Sequence, residues 1–99
     1  MKKILLVEDD KALQKLIVYN FQKEGFNIET VSDGEEALYF IKENYPDLIL
    51  LDWMLPNMSG IEIARQLKLN KKSISIPIIM LTAKSEEPDK LIWFFTFCC

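Results

Sequence analysis

Apolar residues fall along this chain in two patterns. Three short runs are apolar at nearly every position: Ile4-Leu5-Leu6-Val7, Leu48-Ile49-Leu50-Leu51 and Ile76-Pro77-Ile78-Ile79-Met80-Leu81. Runs without alternation suit strands buried on both faces, as in a parallel sheet covered by helices. A fourth segment, Phe26 to Val31, alternates through Phe26, Ile28 and either Thr30 or Val31, as a strand near a sheet edge does. Between these segments the apolar spacing becomes helical. Leu13, Leu16, Ile17 and Phe21 share one face of a helix from Lys11 to about Lys23, Ala37, Leu38 and Ile41 that of a second, and Ile61, Ala64 and Leu67 that of a third. The punctuation agrees. Asp10, Ser32-Asp33-Gly34 and Ser59 stand where caps are needed, with Glu62 at capping-box distance from Ser59. Gly25 ends the first helix and Tyr45-Pro46 the second. Pro77 is tolerated at the start of a strand. The resulting β-α-β-α-β-α-β order predicts right-handed crossovers and a parallel sheet with helices on both faces.

The regularity stops after Thr82-Ala83. Lys84 to Lys90 reads as a loop into a fourth helix, with Pro88 at an early helical position. Leu91-Ile92-Trp93-Phe94-Phe95-Thr96-Phe97-Cys98-Cys99 then shows neither a helical stripe nor a polar face. Such a tail is expected to be buried by a partner or to promote aggregation.

Composition narrows the function. With 99 residues the chain is one domain at most, and 49% hydrophobic with 27% charged residues is a balance that builds a core. A net charge of −3 with scattered lysines excludes a phosphate-tracking stripe for DNA. No apolar run reaches membrane-spanning length. Met1-Lys2-Lys3 opens like a signal peptide, but the acidic cluster at Glu8 cuts the following apolar run too short. The absence of histidine removes His-based catalysis and His-ligated zinc. Cys98 and Cys99 are adjacent, which fits neither a zinc knuckle nor a redox motif, and they read as incidental thiols of a reducing cytoplasm. The chain is therefore expected to be cytoplasmic.

Chemistry concentrates where two strands end. The first runs into Glu8-Asp9-Asp10 and the third into Asp52. In open α/β sheets, ligands gather outside the carboxyl ends of the strands. If these two strands are parallel neighbours, their carboxylates converge, and at about 4 Å a pair repels by about 1 kcal/mol in water and several at intermediate dielectric. A shared proton or a hard cation relieves this. Mg²⁺ suits the second option because it takes one or two carboxylates, keeps waters and leaves room for phosphate oxygens. A carboxylate so held can act as a nucleophile toward phosphorus, with Thr82 on the next strand offering a hydroxyl to a phosphate oxygen. The same residues also fit simple helix caps and a turn.

The motifs Ile4-Leu5-Leu6-Val7-Glu8-Asp9-Asp10, Leu48-Ile49-Leu50-Leu51-Asp52-Trp53-Met54-Leu55-Pro56, Ser59-Gly60 and Ile78-Ile79-Met80-Leu81-Thr82-Ala83 resemble the receiver domain of bacterial two-component response regulators. The Asp-Trp-Met-Leu-Pro wording is most similar to the phosphate-regulon class of DNA-binding regulators. The resemblance covers residues 2 to about 90. It implies a flavodoxin-like sheet with strand order 2-1-3-4 and a phosphoacceptor at Asp52. It also implies Mg²⁺ held by Glu8, Asp9, Asp52 and the backbone carbonyl of Met54, and a switch hydroxyl at Thr82. The implied partner is a sensor histidine kinase that supplies the phosphoryl group. On this reading the chain is a phosphoacceptor rather than an enzyme, capable at most of phosphorylating and dephosphorylating itself.

Departures from the family follow Lys90. The resemblance calls for a fifth strand ending in a Lys that pairs with the phosphoryl group and carrying an aromatic switch residue, then a fifth helix. The division expected is an incomplete receiver domain over 1–90 and a non-family apolar tail over 91–99, without the fifth strand and helix. The fourth strand then becomes an open apolar edge. Signalling is expected to be impaired, with no DNA-binding domain after it. The abrupt change points to a frameshifted or truncated gene product, in the limit a non-functional remnant. Two rivals remain: an interaction module that binds a kinase or another receiver through its tail, and a metal-dependent phosphohydrolase. The second lacks the nearby general-acid Asp it would need, since Met54 and Leu55 occupy those places.

Overall fold

A computed structural model describes residues 2–52, 55, 58–83 and 93–97, the side chains as far as Leu81. The elements run β1 (Lys3–Val7), α1 (Lys11–Lys23), β2 (Asn27–Val31), α2 (Gly34–Asn44), β3 (Leu48–Asp52), α3 (Gly60–Leu69), β4 (Ile78–Ala83) and β5 (Trp93–Phe97). The caps read from the sequence are formed. Asp10 accepts from the amides of Ala12 and Leu13, Asp33 from that of Glu36, and Ser59 from that of Glu62. Gly25, at φ 91°, closes α1 in the left-handed region, where its missing Cβ removes the steric penalty.

The sheet order is β2-β1-β3-β4-β5. The first four strands are parallel, in the expected 2-1-3-4 order. β1 lies between β2 and β3, and its alternate residues feed two cores. Leu5 and Val7 face Ala37, Ile41, Ile63, Ala64 and Leu67 of α2 and α3. Ile4 and Leu6 face Ile17 of α1, with Leu13 and Phe21 packed alongside. Edge strand β2 buries one residue toward each face, Ile28 and Val31, while Thr30 is exposed.

Two helix faces differ from the sequence reading. In α1 Leu16 is 48% exposed, whereas Gln14 is buried. In α3 Ile61 is 45% exposed and Ile63 fully buried, so the inward stripe is Gly60, Ile63, Ala64 and Leu67. Both alternatives keep helical spacing, and only the orientation of each helix on the sheet chooses between them.

The fourth strand is not an open edge. β5, drawn from the segment read as a non-family tail, pairs antiparallel with β4, from Ile79 opposite Phe97 to Ala83 opposite Trp93. The β4 edge offers unpaired N–H and C=O groups, and an apolar, aromatic segment satisfies them. Nine residues, 84–92, separate the two strands. A parallel return needs a crossover of about a dozen residues or more, so the strand comes back in the opposite direction. An antiparallel strand thus covers that edge, while the parallel fifth strand and the fifth helix of the family are not among the described elements. The predicted loop and fourth helix from Lys84 lie outside the described residues.

Candidate metal and phosphoacceptor site

Strand register brings the acids together. Val7 is paired with Leu51 in the parallel β1–β3 ladder, so Glu8 and Asp52 follow side by side at the carboxyl edge. The Glu8 amide still donates to the Val31 carbonyl of β2 at 3.0 Å, which fixes the strand end from the other side. Asp9 comes next in the turn into α1. One carboxylate oxygen from each of Glu8, Asp9 and Asp52 lies within 4.8 Å of the other two. Glu8 is buried, Asp52 half-buried and Asp9 exposed. Asp10, whose side chain caps α1, donates its amide to Glu8 Oε2 at 3.0 Å.

Glu8 bears the electrostatic cost. Burial pushes its carboxyl up from 4.5 to about 8, opposed by the Asp10 amide, and the Asp52 charge and hydrogen bonds to Asp52 and Asp9 raise it further. In the metal-free protein Glu8 is therefore protonated near neutrality and shares its proton with the neighbouring carboxylates. Three carboxylates with one side open to solvent form an all-oxygen donor set, matched to a hard divalent cation rather than to zinc.

Gln14 was read from the sequence only as a polar position. Its side-chain amide donates to the Glu8 backbone carbonyl and, at 3.5 Å, to Ser32 Oγ. A signal for it exists: positions 14, 17, 18 and 21 form an i, i+3, i+4, i+7 stripe, so a polar residue there faces inward and needs a partner. Gly34 is a second such residue. A Cβ at this position would stand 2.8 Å from the Met58 Cβ, so the start of α2 and the loop after β3 approach closely because no side chain intervenes. Thr82 lies on β4 one residue beyond Leu81, the register partner of Asp52. Its side chain, like Met54 and its carbonyl, lies outside what is described.

A doubly layered parallel sheet with this acid edge is the arrangement that the family comparison recognises. The profile of the response regulator receiver domain matches residues 4–94. The chain belongs to that family. Receiver domains are the phosphoacceptor modules of two-component phosphorelay signalling, which work with sensor histidine kinases and are not in general enzymes. Over 91 residues this receiver domain is 46% identical to the phosphate regulon transcriptional regulatory protein PhoB of Rhizobium meliloti (strain 1021), with 92% of the chain aligned. It spans 40% of that protein's length. The N-terminal domain of a response regulator receiver protein from Methanoculleus marisnigri JR1 superposes with a TM-score of 0.81 at 34% identity, over 90% of this chain and 72% of that one. The receiver domain of sensor histidine kinase PA1611 from Pseudomonas aeruginosa PAO1, with a magnesium ion coordinated in its active-site cleft, superposes with a TM-score of 0.80 at 32% identity. That match covers 89% of this chain and 72% of the other. Among the described residues, no helix is long and apolar enough to cross a membrane.

Proposed function

We propose that this receiver domain accepts a phosphoryl group on Asp52 from a sensor histidine kinase in the cytoplasm, with Mg²⁺ bound by Glu8, Asp9, Asp52 and the Met54 carbonyl. The observation that carries the reading is the convergence of the three carboxylates at the edge of β1 and β3. An Asp52 oxygen attacks phosphorus. The new O–P bond forms as the P–N bond to the donor imidazole breaks, and its electron pair returns to the nitrogen, which takes up a proton. The bound cation supplies neutralisation of charge on the transferring phosphoryl oxygens. Glu8 must give up its proton to serve as a ligand. Asp9, exposed, completes the donor set from the turn, and the Thr82 hydroxyl donates to a phosphoryl oxygen.

Transfer is expected to be slow. The resemblance assigns charge stabilisation to a Lys at the end of a parallel fifth strand, whereas β5 here is antiparallel and reads Trp-Phe-Phe-Thr-Phe. Electrostatic contributions of that kind are worth about 3–4 kcal/mol. The test is incubation with a small acyl phosphate and Mg²⁺, followed by intact-mass measurement. One phosphoryl group should be added to the native protein and none to Asp52→Asn; equal labelling of the two would sink the assignment.

A second reading, association with another receiver through the sheet edge, draws on β5 itself. This edge strand contains neither a charged residue nor proline, the usual protections against pairing, whereas the opposite edge carries the exposed Glu29. Sedimentation velocity of native protein and Phe95→Lys decides it: a concentration-dependent dimer in both would exclude the β5 edge.

A further inference from the structure

The end of the domain away from the acidic cluster has a different character. There the C-terminal ends of α2 and α3 flank an open cavity of about 740 Å³, bordered by Lys42, Tyr45, Gln66, Leu69, Lys71 and Lys72. A deeper recess of about 210 Å³ continues from it, with Leu38, Ile41 and Leu67 in its lining. The rim is cationic, and the recess mixes apolar side chains with Gln66, Asn70 and Ser73.

Several features exceed what packing requires. Lysines at helix C-termini complement the helix dipole, which accounts for Lys42 in the last turn of α2. Lys71 and Lys72 lie beyond the end of α3, in the turn that follows its cap Asn70. Among the described residues the one ion pair is Glu62–Arg65, so none of the three rim lysines has a carboxylate within 4.0 Å there. This holds in a chain with 15 acidic against 12 basic residues.

Tyr45 is held at φ 43°, the one positive φ outside glycine among the described residues. A bulky side chain in that region costs about 1–2 kcal/mol. This left-handed cap ends α2, its N–H donating to the Ile41 carbonyl, and leaves the aromatic ring at the rim, with Lys72 Nζ 6.0 Å from its centroid. Leu69, on the same rim, is 81% exposed, the highest value among the exposed large apolar side chains described. The turn below is firm, since buried Ser73 donates its hydroxyl to the Leu67 carbonyl at 2.8 Å.

We propose that this recess binds an amphipathic anion, a small molecule with a flat apolar body and one acidic group such as a phosphate. The body lies over Leu38 and Leu69 against the Tyr45 ring, and the acidic group sits among Lys42, Lys71 and Lys72. The site is separate from the carboxylate edge and does not rest on the phosphoacceptor reading.

The experiment is titration of ¹⁵N-labelled protein with 1-naphthyl phosphate, inorganic phosphate and 1-naphthol, without divalent cations. Naphthyl phosphate should shift the amides of Tyr45, Asn70 and Lys71 and bind about tenfold more tightly than either fragment, since a few partly exposed charge contacts are worth about that ratio. The double variant Lys71→Ser/Lys72→Ser should fall to the affinity of 1-naphthol, and Leu69→Ser toward that of inorganic phosphate. All three positions are exposed, and the same spectra verify the fold. Equal binding of naphthol and naphthyl phosphate, unchanged affinity in the double variant, or shifts confined to the carboxylate edge would each overturn the proposal.

Discussion

Replacing Glu8 by glutamine isolates the cost of burying a third carboxylate at the sheet edge. Glu8 as a residue is 3% exposed, and its carboxyl pKa is pushed up from 4.5 to about 8. At about 1.4 kcal/mol per pKa unit the ceiling on the destabilisation at high pH is about 5 kcal/mol. Solvent reaches the site through exposed Asp9, which reduces this to about 2–3 kcal/mol. The sign follows from proton counts. Between pH 4.5 and about 8 the folded protein keeps a Glu8 proton that the unfolded chain has released, so native stability falls as pH rises through that window. Above it the full cost is present.

Glutamine is neutral at every pH, can accept from the Asp10 amide and can donate to Asp52. In EDTA, Glu8→Gln should match the native protein near pH 5 and exceed it by about 2–3 kcal/mol at pH 9, or about 10–20 °C in Tm for a domain of this size. Millimolar Mg²⁺ should reverse the order, because a ligand stabilises only the state that binds it and the variant has lost a ligand. Urea and thermal unfolding across pH 5–9, with and without Mg²⁺, measure all three effects. A stability difference independent of pH would refute the electrostatic account of Glu8, even if the variant proved more stable.

Other substitutions probe the scaffold that holds this edge. Gly34→Ala should destabilise by about 1–3 kcal/mol in urea melts, because the new methyl meets the Met58 Cβ at 2.8 Å. Gln14→Leu should cost about 1–3 kcal/mol by leaving the Glu8 carbonyl without that donor, and should weaken Mg²⁺ binding measured by calorimetry. Ile63→Ala should lose about 2–5 kcal/mol, whereas Ile61→Ala should stay within about 0.5 kcal/mol; comparable losses would mean that α3 is rotated on the sheet.

The sequence by itself determined the element order from β1 to β4, the caps and the parallel part of the sheet, because each rests on local chemistry. Unbroken apolar runs, Asp10, Asp33 and Ser59 at helix starts, and Gly25 at a helix end act within a few residues of themselves. It also marked Glu8, Asp9 and Asp52 as a group, since acids at the ends of buried strands have few other places to go. Tertiary structure decided what depends on orientation and register. Whether Leu16 or Gln14, Ile61 or Ile63, faces the core turns on how each helix sits on the sheet, and both choices satisfy a 3.6-residue period. The fate of the tail was decided in the same way. Its composition says only that it is apolar; the unpaired edge of β4 and the shortness of the connection make it an antiparallel fifth strand. The raised Glu8 pKa likewise has no sequence signature, because it arises from burial and from an Asp52 distant along the chain that the β1–β3 register sets beside it.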